Sequence, residues 1–137
     1  MSRQLHARSW IQRQQRFYAT LPHYHLQYMP RSIYGAKLSQ QLLQRVPASP
    51  ACRILEVGCG AGRFTLHLLR RFPGRLVGLD LSETLLDQLR NKLVELPEAV
   101  RSRCRLVLGD LHQLDETALE GGFDAIVGFF FCTISIN

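Results

Sequence analysis

The sequence predicts an α/β fold built on a parallel sheet, and three observations lead to that prediction. The chain has 137 residues, 46% hydrophobic and 20% charged, a composition typical of one globular domain. From Cys52 onward, short apolar runs alternate with segments whose leucines recur at helical spacing. A glycine-rich turn directly follows the first apolar run. This alternation is typical of parallel strands joined by right-handed helical crossovers.

The elements can be assigned in chain order. Prolines divide the first fifty residues into two predicted helices, Ser9–Leu21 and Ser32–Val46, followed by a linker at Pro47–Pro50. The alternating region predicts four strands, at Arg53–Val57, Arg75–Asp80, Arg103–Gly109 and Phe123–Phe131. Between them we predict a helix at Ala61–Phe72, a helix from its N-cap Ser82 to Leu96, and a short helix or turn at about His112–Leu119.

The first fifty residues differ in charge from the rest of the chain. The net charge is +6, yet no acidic residue precedes Glu56 and seven basic residues lie before Cys52. Half of the aromatic residues also lie in this segment. Basic and aromatic residues together can indicate nucleic-acid binding, and an arginine-rich, acid-free start is also typical of a mitochondrial transit peptide.

Several other classes are not supported by the sequence. The first thirty residues lack the apolar run of a signal peptide, and the uncharged stretch Ala125–Asn137 is too short to span a bilayer. The four cysteines are scattered, which predicts reduced thiols and a cytoplasmic protein. No metal site is predicted, because His23 and His25 have no partner at ligand spacing.

The glycine-rich turn is the strongest local signal of function. Gly58, Gly60 and Gly62 follow the first predicted strand, where an open parallel sheet binds its ligand. Glycines at these positions permit positive φ angles and let a ligand approach the backbone. A dinucleotide fingerprint would need a third glycine where Arg63 stands, so an NAD site is not predicted.

Four motifs in register resemble those of the class I S-adenosylmethionine-dependent methyltransferases. They are Ile54–Gly62 (Ile-Leu-Glu-Val-Gly-Cys-Gly-Ala-Gly), Val77–Ser82, Leu108–Asp110 and Phe123–Val127. The resemblance implies a partial Rossmann-like three-layer sandwich with a parallel sheet of strand order 3-2-1-4. It further implies a helical lid formed by residues 1–50 and a cofactor-binding half formed by residues 51–137.

The resemblance also implies roles for individual residues toward S-adenosyl-L-methionine. Gly58, Gly60 and Gly62 would pack against its methionine and ribose parts, and Glu56 would orient the loop or meet the amino group. Asp80 would accept both ribose hydroxyls. Asp110 would accept from the adenine amino group, beside Leu111 on the ring. Cys59, expected as a small loop residue rather than a reactive thiol, and Leu81 complete the expected cofactor-binding set.

Structural alternatives remain for three of these residues. Glu56 could cap its own helix, Asp80 could be the N-cap of the next helix, and Asp110 could be a turn residue. The aromatic residues of the first segment are expected to pack in the lid, with nucleic-acid binding as the alternative.

The expected function is methyl transfer to an acceptor that the sequence does not identify, and no catalytic residue or general base is assigned. The alternative is a non-catalytic cofactor-binding or interaction module. The family's pattern would continue beyond the fourth strand, whereas this sequence ends at Asn137. The apolar run Ala125–Phe131 is therefore expected to leave an open strand edge that could pair with a partner chain.

Overall fold

The computed structural model describes residues 40–111, 113–114, 119–120 and 122–128, together with the backbone of 133–136. The predicted helix Ser9–Leu21 and the first part of Ser32–Val46 lie outside these residues. Residues 40–45 are helical, as predicted for the end of the second helix, and Leu42 and Val46 are buried against the domain. The rest of the predicted lid stays a prediction.

The described strands form one sheet in the order β3-β2-β1-β4-β5. Their bounds are β1 Arg53–Val57, β2 Arg75–Asp80, β3 Cys104–Leu108, β4 Ala125–Gly128 and β5 Thr133–Ile136. The first four are parallel, and β1 lies between β2 and β4 with Glu56 opposite Gly78 and Val127. The predicted order 3-2-1-4 is confirmed, and so are the bounds of the first two strands.

One sequence prediction about the sheet is wrong. The edge of β4 is not open, because β5 pairs with it in the antiparallel direction, with Ala125 opposite Ile136. The fourth strand begins at Ala125 rather than at the predicted Phe123, and the end of the prediction, residues 129–131, lies outside the described residues. The run after Gly128 continues apolar without a turn signal, and for this reason the pattern gave no sign that a second, antiparallel strand follows.

The helices are α1 (Arg63–Leu69), α2 (Glu83–Val94) and α3 (Glu98–Arg101). Helix α1 is shorter than the predicted Ala61–Phe72 at both ends, and the chain turns at Pro73–Gly74 before β2. Helix α2 begins after its predicted N-cap Ser82, whose Oγ accepts from the Leu85 amide at 3.3 Å. Helix α2 ends at Val94, before the proline at position 97 and slightly short of the predicted Leu96, and this proline precedes the unpredicted short helix α3.

The two faces of the sheet bury different side chains, because alternate residues of a strand point to opposite faces. Ile54 packs in a cluster with α1, α2 and the helical residues 40–45. Leu55 packs in a second cluster on the other face, with Val77, Leu79 and Leu119. The second helical layer of the predicted sandwich would include the short helix or turn predicted at about His112–Leu119. Residues 112 and 115–118 lie outside the described residues.

A partly buried guanidinium group stabilises the turn that joins α1 to β2. Arg103 donates hydrogen bonds to the carbonyl oxygens of Leu69, Phe72 and Gly74, at 2.9 Å for the first and the third. These carbonyls lie at the C-terminal end of α1, where the helix itself supplies no donors. The direction of α1, and with it the loop at its other end, therefore depends on Arg103.

Replacing Arg103 with methionine is expected to lower the free energy of unfolding by about 2–3 kcal/mol, because three carbonyls lose a charged donor. Urea unfolding of the two proteins measures the difference. The matched control is Arg101→Met, since Arg101 is 41% exposed and pairs with Glu98 on the surface; it should cost less than about 1 kcal/mol. Equal losses for the two variants would contradict this role of Arg103.

Candidate functional site

The carboxyl ends of β1, β2 and β3 meet at one edge of the sheet, and the glycine loop (residues 58–62) lies there. The Gly58 and Cys59 amides donate to the Leu79 carbonyl at 2.7 and 3.1 Å, and the Gly62 amide donates to the Cys59 carbonyl at 3.0 Å. Gly58, Gly60 and Gly62 have φ angles of 74°, 55° and 88°. The loop therefore adopts the left-handed backbone that its glycines permit.

Asp80 joins the glycine loop to the end of β2. Its Oδ2 accepts from the Gly60 amide at 2.7 Å, and its Oδ1 accepts from the Ser82 amide at 2.8 Å. The side chain is buried, and burial raises the pKa of its carboxyl, while the bonds from Ser82, Gly60 and Leu81 act in the opposite direction. The N-cap of α2 is Ser82 and not Asp80, which was the structural alternative for Asp80.

Glu56 lies on β1 beneath the loop, on the face covered by α1, and is only 1% exposed. Its Oε2 accepts from the Thr65 hydroxyl at 2.6 Å, while its Oε1 has no hydrogen-bond partner among the described residues. Burial, with the Asp80 carboxylate adding to it, raises the pKa of Glu56 from 4.5 to about 8, although the Thr65 bond lowers it. The contact to α1 is thus made through a side-chain hydroxyl.

The remaining predicted residues occupy the same edge of the sheet. The Gly109 amide donates to the Asp80 carbonyl at 3.0 Å, which places the start of the β3 turn beside β2. Asp110 opens that turn, and Leu111 is 38% exposed beside it, whereas Leu81 is partly buried. Cys59 is buried against Gly78, where an added Cβ would lie 3.0 Å from its Sγ. Burial raises the pKa of this thiol well above its ordinary value, so a reactive thiolate is not favoured.

Two helices position the loop through residues that the sequence analysis did not single out for the site. Thr65 on α1 holds Glu56. On α2, Leu85 lies 3.8 Å from the position of a Cβ at Gly60, Leu89 packs against Gly62, and the Lys92 Nζ donates to the Ala61 carbonyl at 2.9 Å. The spacing of these three residues along one helix face is visible in the sequence, but it reads equally as a core stripe.

No group of three potential metal ligands occurs within the described ranges. In that part of the chain no helix is both long and apolar enough to cross a bilayer.

A glycine loop and an acidic strand end at the carboxyl edge of a parallel sheet define a Rossmann-like cofactor-binding domain. The family model described as "Methyltransferase domain" matches residues 54–136, which are more than half of the chain. The chain belongs to this family.

Individual relatives agree with this assignment. A trans-aconitate 2-methyltransferase of Variovorax paradoxus (strain S110) is 45% identical over 56 residues, 40% of this chain and 22% of that protein. A malonyl-[acyl-carrier protein] O-methyltransferase of Magnetococcus marinus is 29% identical over 106 residues, 74% of this chain and 37% of that protein.

A solved structure is similar in fold as well as in sequence. The glycopeptide N-methyltransferase MtfA, complexed with (S)-adenosyl-L-methionine, has 30% identity and a TM-score of 0.58. The match covers 69% of this chain and 39% of that one. The chain therefore matches well under half of the length of each of these three proteins.

Gly62→Ala is expected to lower the free energy of unfolding by about 3 kcal/mol, combining a left-handed backbone with overpacking. Gly62 has a φ of +88°, and an added Cβ would lie 2.0 Å from the Leu89 Cδ1 atom. Gly122→Ala is the control, because a Cβ there has no atom within 4 Å. Chemical denaturation should show a large loss for the first variant and almost none for the second, and similar losses would contradict the model of the loop.

The raised pKa of Glu56 predicts how stability depends on pH. Between the ordinary value of 4.5 and about 8, the folded chain keeps a proton that the unfolded chain has released. Stability should therefore fall as pH rises through this window, by up to about 1.4 kcal/mol per pH unit from this group. Below 4.5 and above about 8 its contribution should be constant.

Glu56→Gln should remove this slope and should make the chain more stable than the wild type at pH 8, because an amide carries no buried charge. Unfolding curves from pH 5 to 8 measure the effect. Asp87→Asn, on the exposed side of α2, is the control and should retain the wild-type slope. A slope that persists in Glu56→Gln would assign the pH dependence to another group.

Proposed function

We propose that this chain binds S-adenosyl-L-methionine at the carboxyl edge of β1, β2 and β3 and forms the cofactor-binding part of a methyltransferase. The observation that carries the proposal is the double role of Asp80, which fixes the glycine loop through Gly60 and the start of α2 through Ser82. The carboxylate also receives the Leu81 amide, so backbone donors hold it in a fixed orientation at the end of β2. With the cofactor bound, it would accept the ribose hydroxyls in charge-assisted hydrogen bonds, as the family's pattern implies.

The other groups at this edge fit the remaining parts of the cofactor. The glycine loop, with Gly58, Gly60 and Gly62 in the left-handed region, would lie against the methionine and ribose parts, with Cys59 buried beneath it. The Oε1 of Glu56 has no hydrogen-bond partner among the described residues, and a cationic amino group beside it would favour the ionised carboxylate that accepts from it.

The turn after β3 would hold the adenine. Leu111 offers an exposed apolar side chain to the ring, and Asp110 would accept from the adenine amino group. Leu81, directly after Asp80, would line the space between ribose and adenine. These roles follow the family's pattern and are proposed for this chain residue by residue.

When bound, the cofactor supplies a methyl group on a sulfonium centre that is displaced in line by the acceptor. The chain's own contribution is to position the donor and to exclude water. Asp80 and the glycine loop fix the ribose end, which sets the direction of the methyl group, and no general base is assigned among the described residues.

The acceptor cannot be transferred from the relatives. The names of these three relatives refer to trans-aconitate, malonyl-[acyl-carrier protein] and a glycopeptide, which differ chemically. The likeness therefore supports a shared cofactor rather than a shared acceptor. Residues 1–50 would contribute to acceptor selection as the lid over this edge; nucleic acid is a less favoured acceptor, suggested by the basic and aromatic composition of that segment.

We also propose a cytoplasmic location, supported by the free thiols of Cys52, Cys59 and Cys104.

Calorimetric titration with S-adenosylhomocysteine and S-adenosylmethionine tests the proposal. Saturable binding is expected for the wild type. Asp80→Asn should weaken it by about tenfold or more, because one charge-assisted acceptor for the ribose is lost.

Asp87→Asn is the matched control, an acid-to-amide change on the exposed face of the neighbouring helix, and it should bind as the wild type does. A folded wild-type chain that binds neither compound would overturn the proposal. Binding without methyl transfer to any acceptor would favour the non-catalytic binding module.

A further inference from the structure

Helix α2 follows the glycine loop along its length. Leu85 lies next to Gly60, and Leu89 next to Gly62. Lys92 reaches the carbonyl of Ala61, the residue between those two glycines. Three turns of one helix face therefore contact three neighbouring residues of the loop, Gly60, Ala61 and Gly62.

The contact made by Lys92 differs from the other two because it is polar and directional. Its Nζ donates to the Ala61 carbonyl at 2.9 Å, in a partly buried position. Burial lowers the pKa of the ammonium group, which means that the charged form is partly desolvated at this position. Arg90, two residues earlier on the same helix, instead pairs with Asp87 on the exposed surface.

The peptide group between Ala61 and Gly62 has little steric restraint of its own. It lies between Gly60 and Gly62, with φ angles of 55° and 88°, and glycines have the widest range of backbone conformations. Two hydrogen bonds therefore fix its orientation, one at each end of the same amide. The Gly62 amide donates to the Cys59 carbonyl at 3.0 Å, and Lys92 donates to the Ala61 carbonyl at 2.9 Å.

We propose that Lys92 is a positioning residue of the cofactor site, which holds the Ala61 carbonyl and keeps the glycine loop in the shape that binds the cofactor. The inference rests on the proposed function. Without this bond the loop samples other peptide orientations. The conformational entropy lost when the cofactor orders the loop then lowers the affinity. The effect should therefore appear in affinity and in local protection of the loop.

The test compares Lys92→Met, which keeps the length of the side chain but removes the donor, with Lys92→Arg, which retains a charged donor. Arg90→Met is the matched control on the same helix. Titration of the full chain with S-adenosylhomocysteine should show a dissociation constant raised about tenfold for Lys92→Met. Lys92→Arg should recover most of that loss, and Arg90→Met should match the wild type.

Amide hydrogen exchange without ligand gives a second readout. The Gly60 and Gly62 amides should exchange faster in Lys92→Met than in Arg90→Met, while the amides of β1 and β2 should be protected equally in both. This measurement remains valid if the wild type binds no cofactor, so failure of the proposed function and failure of this inference are distinguishable.

The proposal is overturned if Lys92→Met keeps wild-type affinity and loop protection, or if Lys92→Arg binds as weakly as Lys92→Met. It is also overturned if Lys92→Met fails to fold or loses protection throughout the sheet, because the role of Lys92 is then global stability. Loss of affinity with faster exchange confined to the loop supports it.

Discussion

The hydrogen bond from the Gly60 amide to the Asp80 carboxylate links two strand ends that the sequence separates. Parallel pairing places β1 beside β2, but pairing alone leaves the chain beyond Val57 undirected. Because Asp80 also receives the Ser82 amide, one side chain sets the exit of the first strand and the start of the next helix. The arrangement of the whole carboxyl edge depends on this carboxylate remaining in place.

Two buried carboxyl groups at one edge of a small sheet are costly, and they are held in different ways. Backbone amides, including those of Gly60 and Ser82, donate to Asp80, whereas Glu56 receives one hydroxyl and its Oε1 has no partner in the described part of the chain. A fold selected for stability alone would place apolar side chains at both positions. Perturbed acids gathered in this way are typical of a functional site, which agrees with the family to which the chain belongs.

The parts of the fold that could be predicted are those in which local pattern and tertiary structure agree. The strands Arg53–Val57 and Arg75–Asp80 lie between turn and cap signals, which are Pro50 and Gly58 for the first and Gly74 and Ser82 for the second, so their positions follow from the sequence. The hairpin from β4 to β5 could not be predicted, since no turn residue interrupts the apolar run after Gly128. The strand ends also indicated Glu56, the glycines and Asp80 as neighbours. Thr65 and Lys92 belong to the site only through helix packing, which no local pattern specifies.

Because α2 contacts the glycine loop, the sequence of the loop does not determine its structure by itself. The loop comprises residues 58–62, but its shape also depends on contacts with α2, the helix that follows β2 in the chain. A short motif transplanted into another parallel sheet would carry the glycines without the leucines and the lysine that complete them. In this chain the structural unit that forms the loop is the whole β1-α1-β2-α2 segment.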